Sequence, residues 1–140
     1  MQYQYDGYNY ILRLNRGEKL IENLNKFARE TDLGGAWLAG LGGTLEAEIG
    51  FYNLKTKEYE WKQFNETLEI TSMQGNLSWD DGQPKWHVHG TFSDEECHAF
   101  GGHVKELKAA ATCELFIHTF FNKKLTRSLD DEIGLKLLDV

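Results

Sequence analysis

Only one segment of this chain has the periodicity of an amphipathic helix. Its apolar residues recur every three or four positions, at Leu20, Ile21, Leu24, Phe27 and Ala28. A stripe of this width must be buried against another layer of secondary structure, and a strand candidate at residues 8–14 precedes it. The sequence therefore predicts one main helix, near the N-terminus, that lies on a sheet.

The rest of the chain is patterned as strands. Residues 36–39 are wholly apolar and lead into a Gly-Leu-Gly-Gly run at 40–43, which is typical of a buried strand that leaves through a tight turn. Further strand candidates are segments 45–52, 58–64, 68–79, 85–92 and 112–121, and segment 128–140 is predicted to add an edge strand. This order predicts an α+β fold, of α/β type, in which the helix covers one face of a mostly antiparallel sheet.

Size and composition indicate one globular domain, residues 1–140. A domain of 140 residues buries roughly two thirds of its unfolded surface. With 41% apolar and 26% charged residues, the chain does not match disordered, collagen-like or membrane-spanning proteins. Its formal net charge of −7 predicts that the molecule repels phosphate backbones and anionic lipid, so nucleic-acid binding would need a local basic patch.

Cysteine usage and the N-terminal sequence indicate the compartment. Cys97 and Cys113 are far apart and have no CxxC spacing. The first ten residues lack the basic and apolar regions of a secretory leader, and no segment approaches the ~20 apolar residues that span a bilayer. We therefore expect a cytoplasmic protein with reduced thiols and no membrane partner.

Four of the five histidines fall between His87 and His103. In the strand candidate that contains them, alternation places His87, His89 and Thr91 on one face and the apolar residues on the other. Two imidazoles that project from one strand face can reach a single ion at about 2.0–2.1 Å, and imidazole is a preferred ligand of Zn²⁺. The HxH pair therefore predicts a site for zinc or a similar divalent metal.

His103 is the predicted third ligand. If the chain turns back around Glu95-Glu96, the numbers of facing residues sum to about 190 to 192, which puts His103 opposite residues 87–89. Three protein ligands with an open fourth position are the pattern of an accessible zinc site. The alternative is that all three are ordinary hydrogen-bonded histidines, because HxH with a distant third histidine is only moderately specific.

Other candidate residues carry weaker signals. His98, beside Cys97, is expected in a solvated loop, and His118 is expected to be a satisfied core or interface histidine. Glu69 and Glu114 lie in apolar strand candidates, where a buried carboxylate is either a general base near the metal or half of a structural pair. The sequence has no dinucleotide fingerprint and no nucleophile motif.

Taken in order, several motifs resemble the PPC domain, the "plants and prokaryotes conserved" family, which is also labelled a domain of unknown function. They are Gly17-Glu18 before the helix, the run at 40–43, the segments 68–75 and 112–115, His87-Val88-His89 and Gly101-Gly102-His103-Val104. The resemblance extends over about residues 10–121 and implies a homotrimer of α/β subunits. It also implies a metal site, because the three histidines of the family's prokaryotic members are similar to His87, His89 and His103.

The resemblance raises a second functional class. Plant relatives join this domain to AT-hook DNA-binding segments, and prokaryotic members are often labelled as DNA-binding. This chain contains no Arg-Gly-Arg-Pro core and is acidic, which disfavours DNA binding. A DNA-associated regulator would need its basic residues to cluster on one surface; the candidates are Lys105, Lys108, Lys123, Lys124 and Arg127.

Together these observations predict a cytoplasmic homotrimer that holds Zn²⁺ or a similar metal and acts as a ligand-binding or accessory module rather than an enzyme. The first alternative is a DNA-binding regulatory protein. The second is a metal-dependent hydrolase or lyase in which Glu69 or Glu114 moves protons. The sequence does not identify the small-molecule ligand.

Overall fold

A computed structural model describes residues 1–119 and 123–140. Its elements in chain order are β1 Gln2–Tyr5, β2 Asn9–Asn15, α1 Leu20–Thr31, β3 Ala36–Asn53, β4 Glu58–Phe64, β5 Leu68–Asp80, β6 Gln83–Ser93, β7 Ala99–Thr119, β8 Arg127–Asp130 and β9 Leu135–Leu138. The last two residues of the predicted strand 112–121 lie outside the described residues. Within the described part of the chain, no helix has the length and apolar character needed to cross a membrane.

The main sheet is antiparallel and contains seven strands in the order β1-β2-β7-β6-β5-β3-β4. Strand β7 pairs not only with β2 and β6 but also with β3, so β7, β6, β5 and β3 close into a barrel. The predicted mostly antiparallel sheet with one helix is confirmed at this coarse level. The long strands β3 and β7 bend at several register shifts, which allows each of them to pair with more than two strands along its length.

The Gly-rich run at residues 40–43 differs from the prediction, because it lies inside β3 and is not a turn. A Cβ atom at Gly40 would lie 2.4 Å from the Leu115 side chain, and one at Gly42 would lie 2.3 Å from the Thr112 carbonyl oxygen. Gly42 also has a φ of +145°, which favours glycine. These glycines therefore let β7 approach β3 closely.

The structure differs from the sequence analysis at both chain ends, with one prediction corrected and one strand that was not predicted. Segment 128–140 does not extend the main sheet, because β8 and β9 form a separate two-stranded sheet, called here the C-terminal hairpin. Strand β1, which the sequence did not predict, pairs with β2 at the edge of the main sheet. Its four residues are all exposed, so it lacks the apolar alternation that marks a half-buried strand.

Helix α1 packs with its predicted apolar stripe against the sheet, and Leu20, Leu24, Phe27 and Ala28 are buried. The Trp86 indole N–H donates a hydrogen bond of 3.1 Å to the Leu24 carbonyl. The helix start has no side-chain cap of its own. Instead, the Glu106 carboxylate of β7 accepts bonds from the Ile21 and Glu22 amides at 2.8 and 3.2 Å, which satisfies two free donors. These contacts position α1 next to the β6–β7 junction.

Candidate metal centre

The β6–β7 hairpin brings the three predicted histidines together. His89 is the cross-strand neighbour of His103, and every pair from Ser93↔Ala99 to His89↔His103 obeys the predicted register. His87 lies two residues before His89 on the same face, while Trp86 and Val88 are buried on the other face. The predicted alternation and register are therefore confirmed, because both are set by local strand geometry.

The histidine cluster lies where two strands separate. Among the described residues, β6 and β7 pair over residues 89–93 and 99–103 and no further. Beyond this point β6 continues along β5, whereas β7 continues along β3, where Gly50 faces His103. The divergence opens a cleft next to the imidazole rings, so the cluster is reachable without unpairing the sheet.

The distances within the cluster fit a shared ion. One nitrogen from each of the three rings lies within 4.8 Å of the others, and the Nε2 atoms of His87 and His89 are 3.2 Å apart. Two nitrogens bound tetrahedrally to one ion at about 2.1 Å would be roughly 3.4 Å apart. In addition, Nδ1 of His103 is buried with no hydrogen-bonding partner among the described residues. The donor set and this unpaired atom both fit a zinc-type cation.

The surroundings of the cluster keep its three imidazoles neutral, which is the form that binds metal. The pKa of His87 is lowered to about 4, mainly by burial and to a smaller extent by the charges of His89, Arg127 and Lys85. Burial is also the main cause of the low pKa of His103, about 4, and of the lowered pKa of His89. The imidazoles are therefore neutral near pH 7, as metal ligation requires.

An aromatic wall beside the cluster was not predicted from the sequence. Tyr59 and Trp61 of β4 stack at 4.7 Å between ring centroids, and these centroids lie 5.0 and 5.9 Å from that of His103. Gly50 makes this contact possible, because a Cβ atom there would lie 2.5 Å from the Trp61 ring. Alternation along segment 58–64 places both rings on one face, but the sequence does not show which strand they oppose.

The structure corrects the expectation that Glu69 and Glu114 lie near the site. Both side chains are exposed. Glu69 lies opposite Ser93, at the far end of the β5–β6 pairing from His87. Glu114 is eleven residues beyond His103 on the same strand, a length of roughly 36 Å along the strand at about 3.3 Å per residue. Neither carboxylate is buried or close to the histidines, so the predicted role as general base has no geometric support.

The two remaining histidines lie outside the cluster. His98 is exposed in the β6–β7 turn, as expected, with Nδ1 3.2 Å from the Asp94 carboxylate. His118 is also exposed, with Nδ1 2.7 Å from Oδ1 of Asn9, so it does not lie in the core, and the predicted alternative of an interface position stays a prediction. Its strand is buried on one face only, and an even-numbered position on β7 at this end points outward.

The candidate basic residues do not form a free positive surface. Lys105, Lys108 and Lys124 each form an ion pair with a carboxylate, at 2.8, 3.6 and 3.1 Å; the partners are Glu48, Glu46 and Asp32. Arg127 is half-buried and bonded to Ser78 and Asn76. Of the five candidates, therefore, three are ion-paired and a fourth is half-buried, so little of their charge is free to attract a phosphate backbone.

Comparisons with known proteins agree with the fold and with the motif resemblance. The family model of the Plants and Prokaryotes Conserved (PCC) domain, another abbreviation for the PPC domain, matches residues 1–121. No curated protein matches the chain at a significant level.

Several solved structures are similar over almost their full length. A Bacteroides thetaiotaomicron protein provisionally described as DNA-binding is 28% identical, with a TM-score of 0.93 over 99% of this chain and 96% of that one. A metal-containing protein from Archaeoglobus fulgidus is 29% identical, with a TM-score of 0.89 over 100% and 99%. A plant- and prokaryote-conserved protein from Pyrococcus horikoshii is 28% identical, with a TM-score of 0.89 over 99% and 95%.

Proposed function

Because this chain belongs to the Plants and Prokaryotes Conserved domain family, we propose that it is a homotrimeric metal-binding protein that serves as a ligand-binding or accessory module. The observation that carries this proposal is the convergence of His87, His89 and His103, with one ring nitrogen from each within 4.8 Å of the others. The description of a 29% identical structural neighbour as a metal-containing protein supports it.

Zn²⁺ is the proposed ion, because a cluster of three neutral imidazoles suits a borderline metal better than Mg²⁺ or Ca²⁺, which prefer oxygen ligands. When bound, such an ion would supply a Lewis-acidic coordination position. The predicted carboxylates Glu69 and Glu114 are distant, and Asp80, which lines the cleft next to the imidazole rings, is paired with Lys136 at 2.6 Å. We therefore propose ligand binding rather than hydrolase or lyase chemistry.

Elemental analysis of protein purified without added metal tests the metal site. We expect about one divalent ion per chain, because a three-histidine zinc site is filled at ordinary trace-metal concentrations when its ligands are pre-arranged. Occupancy below about one ion in ten chains, unchanged after incubation with zinc and desalting, would contradict the proposal.

The pH at which metal is released is a second expected result. Protons compete with the ion for neutral imidazole, but the pKa values of His87 and His103 lie near 4 instead of 6.5. Metal occupancy should therefore be retained at pH 6 and lost as the pH approaches 4.

In the metal-free protein, the histidines of the unfolded state take up protons at a higher pH than those of the folded state. The free energy of unfolding should therefore fall as the pH decreases from about 6.5 to 4. Metal analysis after dialysis measures the occupancy, and thermal melts measure the stability. Metal release centred near pH 6.5 would contradict the lowered pKa values of the histidine cluster.

Assembly into a trimer is proposed from family membership and is supported by an exposed apolar surface. Ile11, Trp37, Leu41 and Phe116 are 60%, 45%, 57% and 48% exposed, on outward-facing positions of β2, β3 and β7. In the sheet register Phe116 is the neighbour of both Ile11 and Ala39, so these side chains form one contiguous surface, called here the outer apolar patch. Apolar patches of this kind commonly mark contact surfaces.

DNA binding is a second candidate because one similar structure is provisionally described as DNA-binding. We expect no tight, sequence-specific binding by this chain alone. A trimer would carry about −21 charges at −7 per chain, and most candidate basic residues are ion-paired or turned inward. Fluorescence anisotropy at 150 mM salt, with random and AT-rich duplexes, should give dissociation constants no tighter than about 10⁻⁶ M. A selected duplex bound at nanomolar concentration would favour the regulatory function instead.

A further inference from the structure

A cavity of about 600 Å³ adjoins the histidine cluster. It occupies the cleft where β6 and β7 diverge, and His87 and His103 form part of its lining. Helix α1 contributes Asn25, whose buried Oδ1 atom has no hydrogen-bonding partner among the described residues. The volume lies within the range of pockets that bind small organic molecules, and the unpaired oxygen would accept a hydrogen bond from a donor on the ligand.

Two of the four basic residues that line this cavity form no ion pair with a carboxylate of the described residues. Lys105 and Lys136 form ion pairs with Glu48 and Asp80, at 2.8 and 2.6 Å. Lys85 and Arg127 have no carboxylate at ion-pair distance within the described chain. The charges of Asp139 and Asp80 reach Arg127, but the described lining still holds four cations against one carboxylate, Asp80, which favours an anion.

Neutral partners hold the Arg127 guanidinium in place. Nε donates to the Ser78 hydroxyl at 2.7 Å, Nη2 donates to Oδ1 of Asn76 at 2.8 Å, and Nη1 donates to the Lys136 carbonyl at 3.2 Å. Asn76 is the cross-strand neighbour of His87, which puts Arg127 beside the cluster. A guanidinium has five N–H donors, so two remain, one on each terminal nitrogen. A fixed fork of this kind is suited to a carboxylate or phosphate.

Apolar groups face the same space. The stacked rings of Tyr59 and Trp61 form one wall, and the C-terminal hairpin contributes Leu129, Leu135 and Leu137. This hairpin, like Arg127 at its start, lies beyond residues 1–121, which are the part matched by the family model. The cavity thus combines cations with an aromatic and aliphatic lining, which disfavours a fully hydrated inorganic ion as its main ligand.

We propose that this cavity binds a small organic carboxylate, whose anionic end contacts Arg127 and Lys85 and whose planar or apolar body packs against Tyr59 and Trp61. The inference rests on the proposed function as a ligand-binding module and names the class of ligand. The C-terminal hairpin is then a specificity-determining element, since it supplies both the fixed cation and part of the apolar wall.

Isothermal titration with benzoate and with benzamide tests this inference, because the two probes have nearly the same shape and differ in charge. We expect benzoate to bind at least about 10-fold more tightly than benzamide, and more tightly than inorganic phosphate. Equal binding of benzoate and benzamide, or no benzoate binding, would overturn the proposed anion recognition. If phosphate binds as tightly as benzoate, the proposed contact of the ligand body with the aromatic wall is wrong.

Variants separate the cavity cations from general charge effects. Arg127→Gln and Lys85→Gln should each weaken benzoate binding by about 10-fold or more. The Lys85 side chain is exposed and makes no hydrogen bond to the described residues, and its backbone carbonyl, which accepts from Ser78, is kept in Lys85→Gln, so this variant remains informative if Arg127→Gln destabilises the fold. The control is Lys26→Gln on the exposed side of α1, which makes the same charge change outside the cavity lining and should leave binding unaltered. Loss of binding in this control, or full binding in Lys85→Gln, would contradict the inference.

Metal content is measured on the same samples, so that the proposed metal site and the proposed ligand class are tested independently of each other. Benzoate binding by protein that takes up no metal after incubation with zinc would support the ligand class and contradict the metal site. Metal at one ion per chain without benzoate binding would support the site and contradict the ligand class.

Discussion

Replacement of His89 with alanine is expected to lower the metal affinity by about 100-fold or more. Loss of a residue that only supports a ligand typically costs 10- to 100-fold in affinity, and loss of the ligand itself should cost at least as much. His89 is suited to this test because its side chain is exposed, so that truncation leaves no buried cavity. Elemental analysis after dialysis against a zinc buffer should show less than one ion per ten chains, against about one for the unaltered protein.

The matched control is His98→Ala, which removes an exposed histidine of the same hairpin that contacts Asp94 instead of the cluster. Its metal content should equal that of the unaltered protein. The half-buried His103 gives a second test, with His103→Ala checked for folding by circular dichroism before metal analysis. Full occupancy in both cluster variants would refute the three-histidine site, and His98 and Cys97 would become the next ligands to examine.

A change of comparable size is expected for assembly when the outer apolar patch receives a charge. The unaltered protein should have a mass of about 48 kDa by light scattering, three times the 16.1 kDa chain. Leu41→Glu places a second carboxylate opposite Glu114, its neighbour in the register, and removes an exposed apolar side chain. Burying these like charges in a subunit contact is strongly unfavourable. The variant should therefore be monomeric at micromolar concentration, as should Phe116→Glu.

Leu54→Glu is the matched control for this experiment. Leu54 is 67% exposed, similar to Leu41, but it lies in the β3–β4 turn, outside the outer apolar patch. Its variant should keep the mass of the unaltered protein. If the unaltered protein has the mass of one chain, the trimer proposal is wrong; if Leu41→Glu and Phe116→Glu both keep the full mass, the interface lies elsewhere.

The local features of the fold could be predicted from the sequence because they depend on short-range geometry. Strand alternation put His87 and His89 on one face, and a turn near Glu95-Glu96 was sufficient to set His103 against His89. The stripe of α1 likewise follows from helical periodicity and matches its buried residues. The three histidines could therefore be chosen as candidates before any tertiary contact was known.

Features that depend on contacts distant in sequence could not be predicted in this way. The run at residues 40–43 looks like a turn, and only the close pairing of β3 with β7 explains its glycines. Glu69, Glu114 and His118 lie in strands with apolar neighbours, so the pattern suggested burial. The structure exposes all three, because alternation distinguishes the two faces of a strand but does not reveal which face is covered.

The sequence by itself determined the class of fold, the helix stripe and the identity of the three clustered histidines, since each follows from local periodicity and the hairpin register. Only the tertiary structure decided what surrounds them. The divergence of β6 from β7 opens the cavity, β4 contributes Tyr59 and Trp61, and the C-terminal hairpin brings Arg127 next to His87 through Asn76. These residues are far apart along the chain, and their meeting depends on how β3 and β7 bend and close the barrel.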